Sequence, residues 1–250
     1  MPAEADPALV EIWAQGWALT REVGPPAAVP GGWRIEVGLP DQVRRFVYPD
    51  ASEAVVERGR SIDQPCEFIK VATSRDKVQP LLDDRWAFGA PGYMMTRDPI
   101  VDTDHETLPL PVGERVGRGA ATNDIARGHP SPRPSPLRGE GEVAPAYHLT
   151  LETIAIHLTL ATITSPNGEL AASGRIGLVG DVAIYDRIRV QDAHQRRGLG
   201  RALMSALGEA ANRAGATHWL LVATPEGRAL YETLGWAVHA PYASAFIPPA

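Results

Sequence analysis

The segment Gln195-Arg196-Arg197-Gly198-Leu199-Gly200-Arg201-Ala202 constrains this chain most, because it stands between two different periodicities. Before it, Val182-Ala183-Ile184-Tyr185-Asp186-Arg187-Ile188-Arg189-Val190 reads as a strand. After it, Leu199, Ala202, Leu203, Ala206, Leu207, Ala210 and Ala214 form one apolar face at helical spacing, and Gly215 follows where a left-handed C-terminal cap belongs. Glycines at 198 and 200 let the backbone turn tightly and approach a ligand with no side chain in the way. The unpaired N–H groups of the first helical turn converge there, at the positive end of the helix dipole. Arg196, Arg197 and Arg201 add full charge at the same place. A strand, this loop and a helix in that order make a site for a pyrophosphate, although a capped strand-to-helix turn would show the same glycine pair.

The flanks narrow the choice. Trp219-Leu220-Leu221-Val222 reads as a buried strand. Thr224 then supplies an N-cap, Pro225 the first helical residue and Glu226 an acid that complements the dipole. The helix carrying Ala229, Leu230, Tyr231 and Leu234 stops at Gly235, and strand signals follow at 236–238 and 243–247. Upstream, 155–163 alternates as a strand, Ser165-Pro166-Asn167-Gly168 turns, and 169–179 is a second strand that Gly180-Asp181 turns into the strand at 182. An antiparallel meander thus feeds the loop.

The pattern Gln/Arg-x-x-Gly-x-Gly/Ala at 195–200 resembles the acyl-CoA pyrophosphate loop of the GNAT N-acetyltransferases. Ala229-Leu230-Tyr231-Glu232-Thr233-Leu234-Gly235-Trp236 resembles that family's second signature, at the expected distance and in the expected order. The resemblance covers roughly Tyr147 to the C-terminus. It implies an α/β fold with a mixed, largely antiparallel sheet flanked by helices, and acetyl-CoA as cosubstrate. The implied activity is acetyl transfer to a primary amine of a small molecule or protein by direct attack. A non-catalytic acyl-CoA-binding regulatory or interaction module would keep the same loop. A dinucleotide-binding oxidoreductase would need a third glycine where Leu203 stands, and a βαβ unit in place of the meander.

Residue roles follow from the same resemblance. Gln195, Arg196, Arg197, Gly198, Leu199, Gly200, Arg201 and Ala202 would hold the cofactor's diphosphate, Val190 and its neighbours the pantetheine, and the Ile188 region the oxyanion. Tyr231 would protonate the departing thiolate; the alternative is a ring packed under the sheet. Asp186 would be the base, or else a salt-bridged strand carboxylate orienting the neighbouring arginine; Glu152, Glu226 and a water chain are other routes for the proton. Glu226 stands three residues before Ala229, where many family members carry Asn; an acid there could still bond the pantetheine or the acceptor, but the usual amide role is in doubt.

Composition excludes several classes. A net charge of −6 argues against broad nucleic-acid binding, so the arginines near 196 are a local patch. The single cysteine, Cys66, precludes an internal disulfide and a thiolate-rich metal site, and suits a reducing cytoplasm. The 7 histidines show no ligand spacing, so no metal is expected. The acidic start has no signal-peptide pattern, and no apolar run reaches membrane-spanning length. A monomer and a homodimer are both compatible with these features.

The first half echoes the second. Val71-Ala72-Thr73 mirrors Val222-Ala223-Thr224, Trp86 mirrors Trp236 and Tyr93 mirrors Tyr242, at offsets of 151, 150 and 149. Counting back from Val71 as from Val222 places the phosphate loop's counterpart at Arg44-Arg45-Phe46-Val47-Tyr48, which has no glycine pair. The chain is therefore expected to comprise a degenerate GNAT-like N-terminal domain (1–112), a Pro/Gly-rich disordered linker or insertion (113–146) and a GNAT acetyltransferase domain (147–250). The run 128–142 has too much Pro, Gly, Ser and charge to bury a core.

Overall fold

The computed structural model describes residues 5–98 and 147–249; the expected linker at 113–146 lies outside the described residues. Among the described residues, twelve strands form one sheet: β1 (Ala27–Val29), β2 (Gly32–Leu39), β3 (Gln42–Tyr48), β4 (Glu67–Val71), β5 (Ala87–Phe88), β6 (Gly92–Arg97), β7 (His148–Ala155), β8 (Leu158–Thr164), β9 (Leu170–Val179), β10 (Val182–Val190), β11 (His218–Ala223) and β12 (Ala237–Phe246). The helices are α1 (Pro7–Thr20), α2 (Glu53–Ser61), α3 (Arg75–Val78), α4 (Leu199–Arg213) and α5 (Pro225–Thr233).

The spatial order is β1-β2-β3-β4-β12-β6-β11-β10-β9-β8-β7, with β5 on β12. Only β3–β4 and β10–β11 run parallel, each pair joined through a helix as a parallel crossover requires. The sheet is therefore mixed and largely antiparallel, as the motifs imply. The last strand of each half lies beside the other half: β12 pairs with β4, and β6 pairs with β11.

Strand alternation sends side chains to two faces. On one face, Ala183, Tyr185, Leu221 and Met95 join α4, while Phe46, Tyr48, Ile69 and Val71 join Val55 of α2 and Ile62 just past its end. On the other face, Ile184, Leu220, Met94 and Tyr242 pack with Val10, Trp13 and Trp17 of α1. α1 begins with Asp6, whose side chain caps Ala8 N, and Gly16 lets it sit directly on Ile184: a Cβ there would come within 2.6 Å of three Ile184 carbons.

Four expectations need correction. The alternating run 155–163 is not one strand; Ile156 and His157 form the exposed tip of the β7–β8 hairpin, which a period of two cannot reveal. The strand signals at 236–238 and 243–247 belong to a single strand, β12, which bends at an irregularity between Val238 and Ala240. The buried face of α4 includes Met204, Gly208 and Ala211 and leaves Ala214 exposed; Gly208 is needed because a Cβ would strike the Trp219 ring at 2.8 Å.

The repeat is also shifted by one residue. Tyr48–Val71–Ala243 is a cross-strand row on the α2 face, and its counterpart beside α5 contains Ala223–Tyr93, not Val222. Tyr93 packs toward the α4 side whereas Tyr242 packs against α1, so the two tyrosines do not correspond.

Candidate functional site

The site begins where β10 leaves β11. Parallel pairing runs from Val182–His218 to Tyr185–Leu221 and stops. On its other edge β10 bulges against β9: the register shifts between Asp186 and Arg189, and Arg187 takes a left-handed φ of 54°. An extra residue bends a strand and turns its backbone away from the neighbour. Residues 186–190 therefore line an opening with one backbone edge unpaired by β11. Ile188 and Val190, both half-buried, lie on this stretch.

The expected loop closes the lower end of the opening. Asp192–His194 make a short 3-10 turn, then Arg196 (φ 59°) and Gly198 (φ 79°) both turn left-handed before α4 starts at Leu199. No side chain caps α4, in contrast to α5, where Thr224 Oγ1 accepts from Gly227 N at 3.1 Å. The first-turn donors of α4 thus stay available to an anion. Gln195, Arg196, Arg197 and Arg201 are exposed, and Leu199 and Ala202 anchor the helix in the core. At Gly200 a Cβ would lie 3.3 Å from Leu230 Cδ2 and 3.7 Å from Val190 Cγ2, so the end of β10, α4 and α5 converge on that glycine.

Tyr231 of α5 is 8% exposed and packs at a tilt against Trp236, whose ring also meets Tyr185 edge to face and Trp219. Burial, reinforced by the Asp186 charge, pushes the phenol up to about 12. Glu226 lies exposed in the first turn of the same helix. Glu152 is not brought to the opening: it lies on β7, three strands away from β10, a distance of roughly 14 Å at ordinary strand spacing.

Asp186 is engaged, and with a partner no local pattern announces. Arg21, just past α1, donates from Nε to Oδ2 and from Nη2 to Oδ1 (3.0 Å), and Thr20 Oγ1 adds 3.1 Å to Oδ2. The carboxylate is thus oriented from the N-terminal helix and not by Arg187. Arg175 of β9 secures the same turn, donating to Thr20 O (2.9 Å) and Glu22 (3.0 Å). Behind it, Arg21 and Arg45 both lie over the Trp17 ring, at 5.0 and 3.8 Å. Burial, with the Arg21 charge, lowers Arg45 to about 10. Arg21 and Thr20 are not legible in the sequence as site residues, because they reach the site across more than 160 residues.

Comparison with known proteins agrees with this geometry. Residues 158–238 match the family described as Acetyltransferase (GNAT) domain, a stretch that runs from β8 through the loop and Tyr231 into β12. Across the whole chain the fold is similar to a GCN5-related N-acetyltransferase from Kribbella flavida (TM-score 0.57, 11% identity, 95% of each chain covered). It is similar again to a GNAT-family protein from Novosphingobium aromaticivorans (TM-score 0.53, 12% identity, 98% of this chain and 99% of that one). No curated protein matches the chain. Among the described residues, no group of three or more His, Cys, Asp or Glu is placed to hold a metal ion, and no helix is long and apolar enough to cross a membrane.

Proposed function

We propose that the protein is an acyl-CoA-dependent N-acetyltransferase that moves acetyl from acetyl-CoA to a primary amine of a small molecule or protein. The observation that carries this reading is the opening between β10 and β11, with an uncapped, arginine-flanked helix start at one end and a buried tyrosine beside it. The donor set fits the cofactor: free helix N–H groups with Arg196 and Arg201 match a diphosphate, and Gly200 leaves the room a side chain would fill. When bound, acetyl-CoA supplies an activated thioester. The chain's own residues do the rest.

Backbone donors of residues 188–190 hold the pantetheine and polarise the carbonyl, since this stretch has no β11 partner. Tyr231 holds a proton at its hydroxyl for the leaving sulfur; raised to about 12, the phenol stays protonated through neutral pH. Asp186 serves as the anchor that Arg21 grips, which fixes the bulge; its oxygens are already used. The amine proton then leaves through Glu226 or solvent. That engaged Asp186 is also the observation that favours a non-catalytic acyl-CoA-binding module, and retention of Tyr231 favours the enzyme. The first half, by this reading, is a degenerate GNAT-like unit without a cofactor site.

Calorimetric titration with acetyl-CoA, followed by thiol release in the presence of an amine library, tests the reading. Binding without turnover would support the module, and no binding would overturn both. In the active protein, Tyr231→Phe should lower kcat more than about tenfold with little change in KM for acetyl-CoA. Because the folded pKa is raised, the folded state keeps its proton better than the unfolded chain does. Tyr231's contribution to stability is full below about pH 10 and is lost as pH rises from there toward 12. Unchanged kcat in Tyr231→Phe would contradict the assignment.

A further inference from the structure

The phosphate loop holds more positive charge than a diphosphate needs, and part of it is fixed in place by a residue far upstream. Tyr147 Oη lies 2.9 Å from Arg197 Nη1 and 3.0 Å from His194 Nδ1, with the Tyr147 and His194 rings edge to face at 5.7 Å. A guanidinium only donates, so the Tyr147 oxygen accepts from Arg197, and the same hydroxyl is hydrogen-bonded to His194 Nδ1. The remaining N–H groups of Arg197 have no carboxylate within ion-pair distance among the described residues. Asp192, the acid of the loop, is engaged by Gln195 Nε2 at 2.9 Å.

We propose that Tyr147, His194 and Arg197 form a subsite for a phosphomonoester, the 3′-phosphate of acetyl-CoA. The inference rests on the acyl-CoA reading above and adds a specificity to it. CoA carries two kinds of phosphate. The α4 start with Arg196 and Arg201 answers the diphosphate, which leaves Arg197, tied to Tyr147, for the other. A phosphomonoester carries a charge of about −1.5 to −2 at neutral pH and three acceptor oxygens, matching a guanidinium held beside an imidazole. Tyr147 is here a positioning residue: it touches Arg197 and His194, and its hydroxyl orders both.

The experiment is calorimetric titration of the full chain with acetyl-CoA and with 3′-dephospho-acetyl-CoA. Wild type should prefer acetyl-CoA by about tenfold or more, the worth of one charge-assisted pair. Arg197→Gln should bring that ratio close to one by weakening the phosphorylated ligand alone. Tyr147→Phe keeps the ring and removes only the hydroxyl, so it should fold and lower the ratio by a smaller factor. Millimolar inorganic phosphate should weaken acetyl-CoA but not its dephospho form, which separates the subsite from the diphosphate loop. Equal wild-type affinity for both ligands would overturn the subsite while leaving the acyl-CoA reading intact. Equal weakening of both ligands by Arg197→Gln would overturn it too, by returning Arg197 to the diphosphate. Failure of wild type to bind either ligand would instead sink the acyl-CoA reading on which the subsite depends.

Discussion

The two parallel strand pairs of this molecule, β3–β4 and β10–β11, start alike and end differently. The rows Phe46–Ile69–Ala245 and Tyr185–Leu221–Met95 lie at the same level, on the same face of the sheet. Beyond that level the first half adds the pairs Val47–Lys70 and Tyr48–Val71, and Ala72 N then donates to Tyr48 O. The second half adds none. Its strand bulges at Arg187 and departs. The connection to the next helix differs as well: residues 49–52 suffice in the first half, whereas residues 191–198 build the loop in the second. Asp50 and Glu53 stand at the start of α2, where α4 has arginines. Acids there satisfy the helix dipole internally and repel a phosphate. One scaffold is zipped and acidic, the other open and basic.

The sharpest way to break this contrast is to block each helix start in turn. Gly200→Trp should fill the space between Val190 and Leu230 and weaken acetyl-CoA by more than about 100-fold. Glu53→Trp, at the exposed start of α2, should leave that affinity unchanged. Calorimetry on both variants decides the matter. A comparable loss in Glu53→Trp would show that the first half takes part in binding.

A smaller effect should come from the contact by which the N-terminal helix holds the open strand. At the level of Asp186 the first half has Val47, which needs no ionic partner. Arg21→Ala would leave Asp186 without its counter-charge. The two side chains are 27% and 15% exposed, between the surface and buried regimes, so a cost of about 2 kcal/mol is expected. For a chain of this size that lowers Tm by about 4–8 °C. Adding Asp186→Asn should restore at least half of the loss, because the orphaned charge is then gone. Should the double variant be worse than the single one, Asp186 has a use beyond gripping Arg21.

Local pattern carried much of the second half. The glycines at 198, 215 and 235 take the left-handed conformations their places demand, Thr224 caps α5, and the loop and the tyrosine helix sit where their spacing puts them. What stayed hidden is non-local. A bulge costs one residue and changes no composition, so the departure of β10 from β11 cannot be read from Val182–Val190. Arg21 reaches Asp186 across 165 residues, and Tyr147 reaches Arg197 across 50. The fixed offset of the repeat failed for a related reason. It matched Val71 to Val222 by residue type, but strand faces alternate, and the connection before α2 is shorter than the one before α4. By position between strand and helix, 49–52 is the stretch that matches 191–198, while 44–48 lies inside β3.

The smallest expected effect concerns the row in which the halves differ by a single charged side chain. Lys70 pairs with Ser244 across β4–β12, and Val222 pairs with Met94 at the same level across β11–β6. The Lys70 ammonium contacts Ser244 Oγ and lies 4.8 Å over the Phe68 ring. Burial, with the Arg45 charge nearby, holds Lys70 well below its usual value. A depressed pKa means that the folded state binds this proton less well than the unfolded chain. The penalty is therefore absent above about pH 10.5 and grows as pH falls below it. At neutral pH the fold carries that cost, and Lys70→Met should remove it by taking the buried charge out of the row. A gain of about 1 kcal/mol would raise Tm by about 2–4 °C. Thermal melts at neutral pH and near pH 11 check the sign: the gain should be present in the first and shrink in the second. A loss of stability at neutral pH would mean that the Ser244 and Phe68 contacts outweigh desolvation, and that the polar row is itself part of what holds β4 to β12.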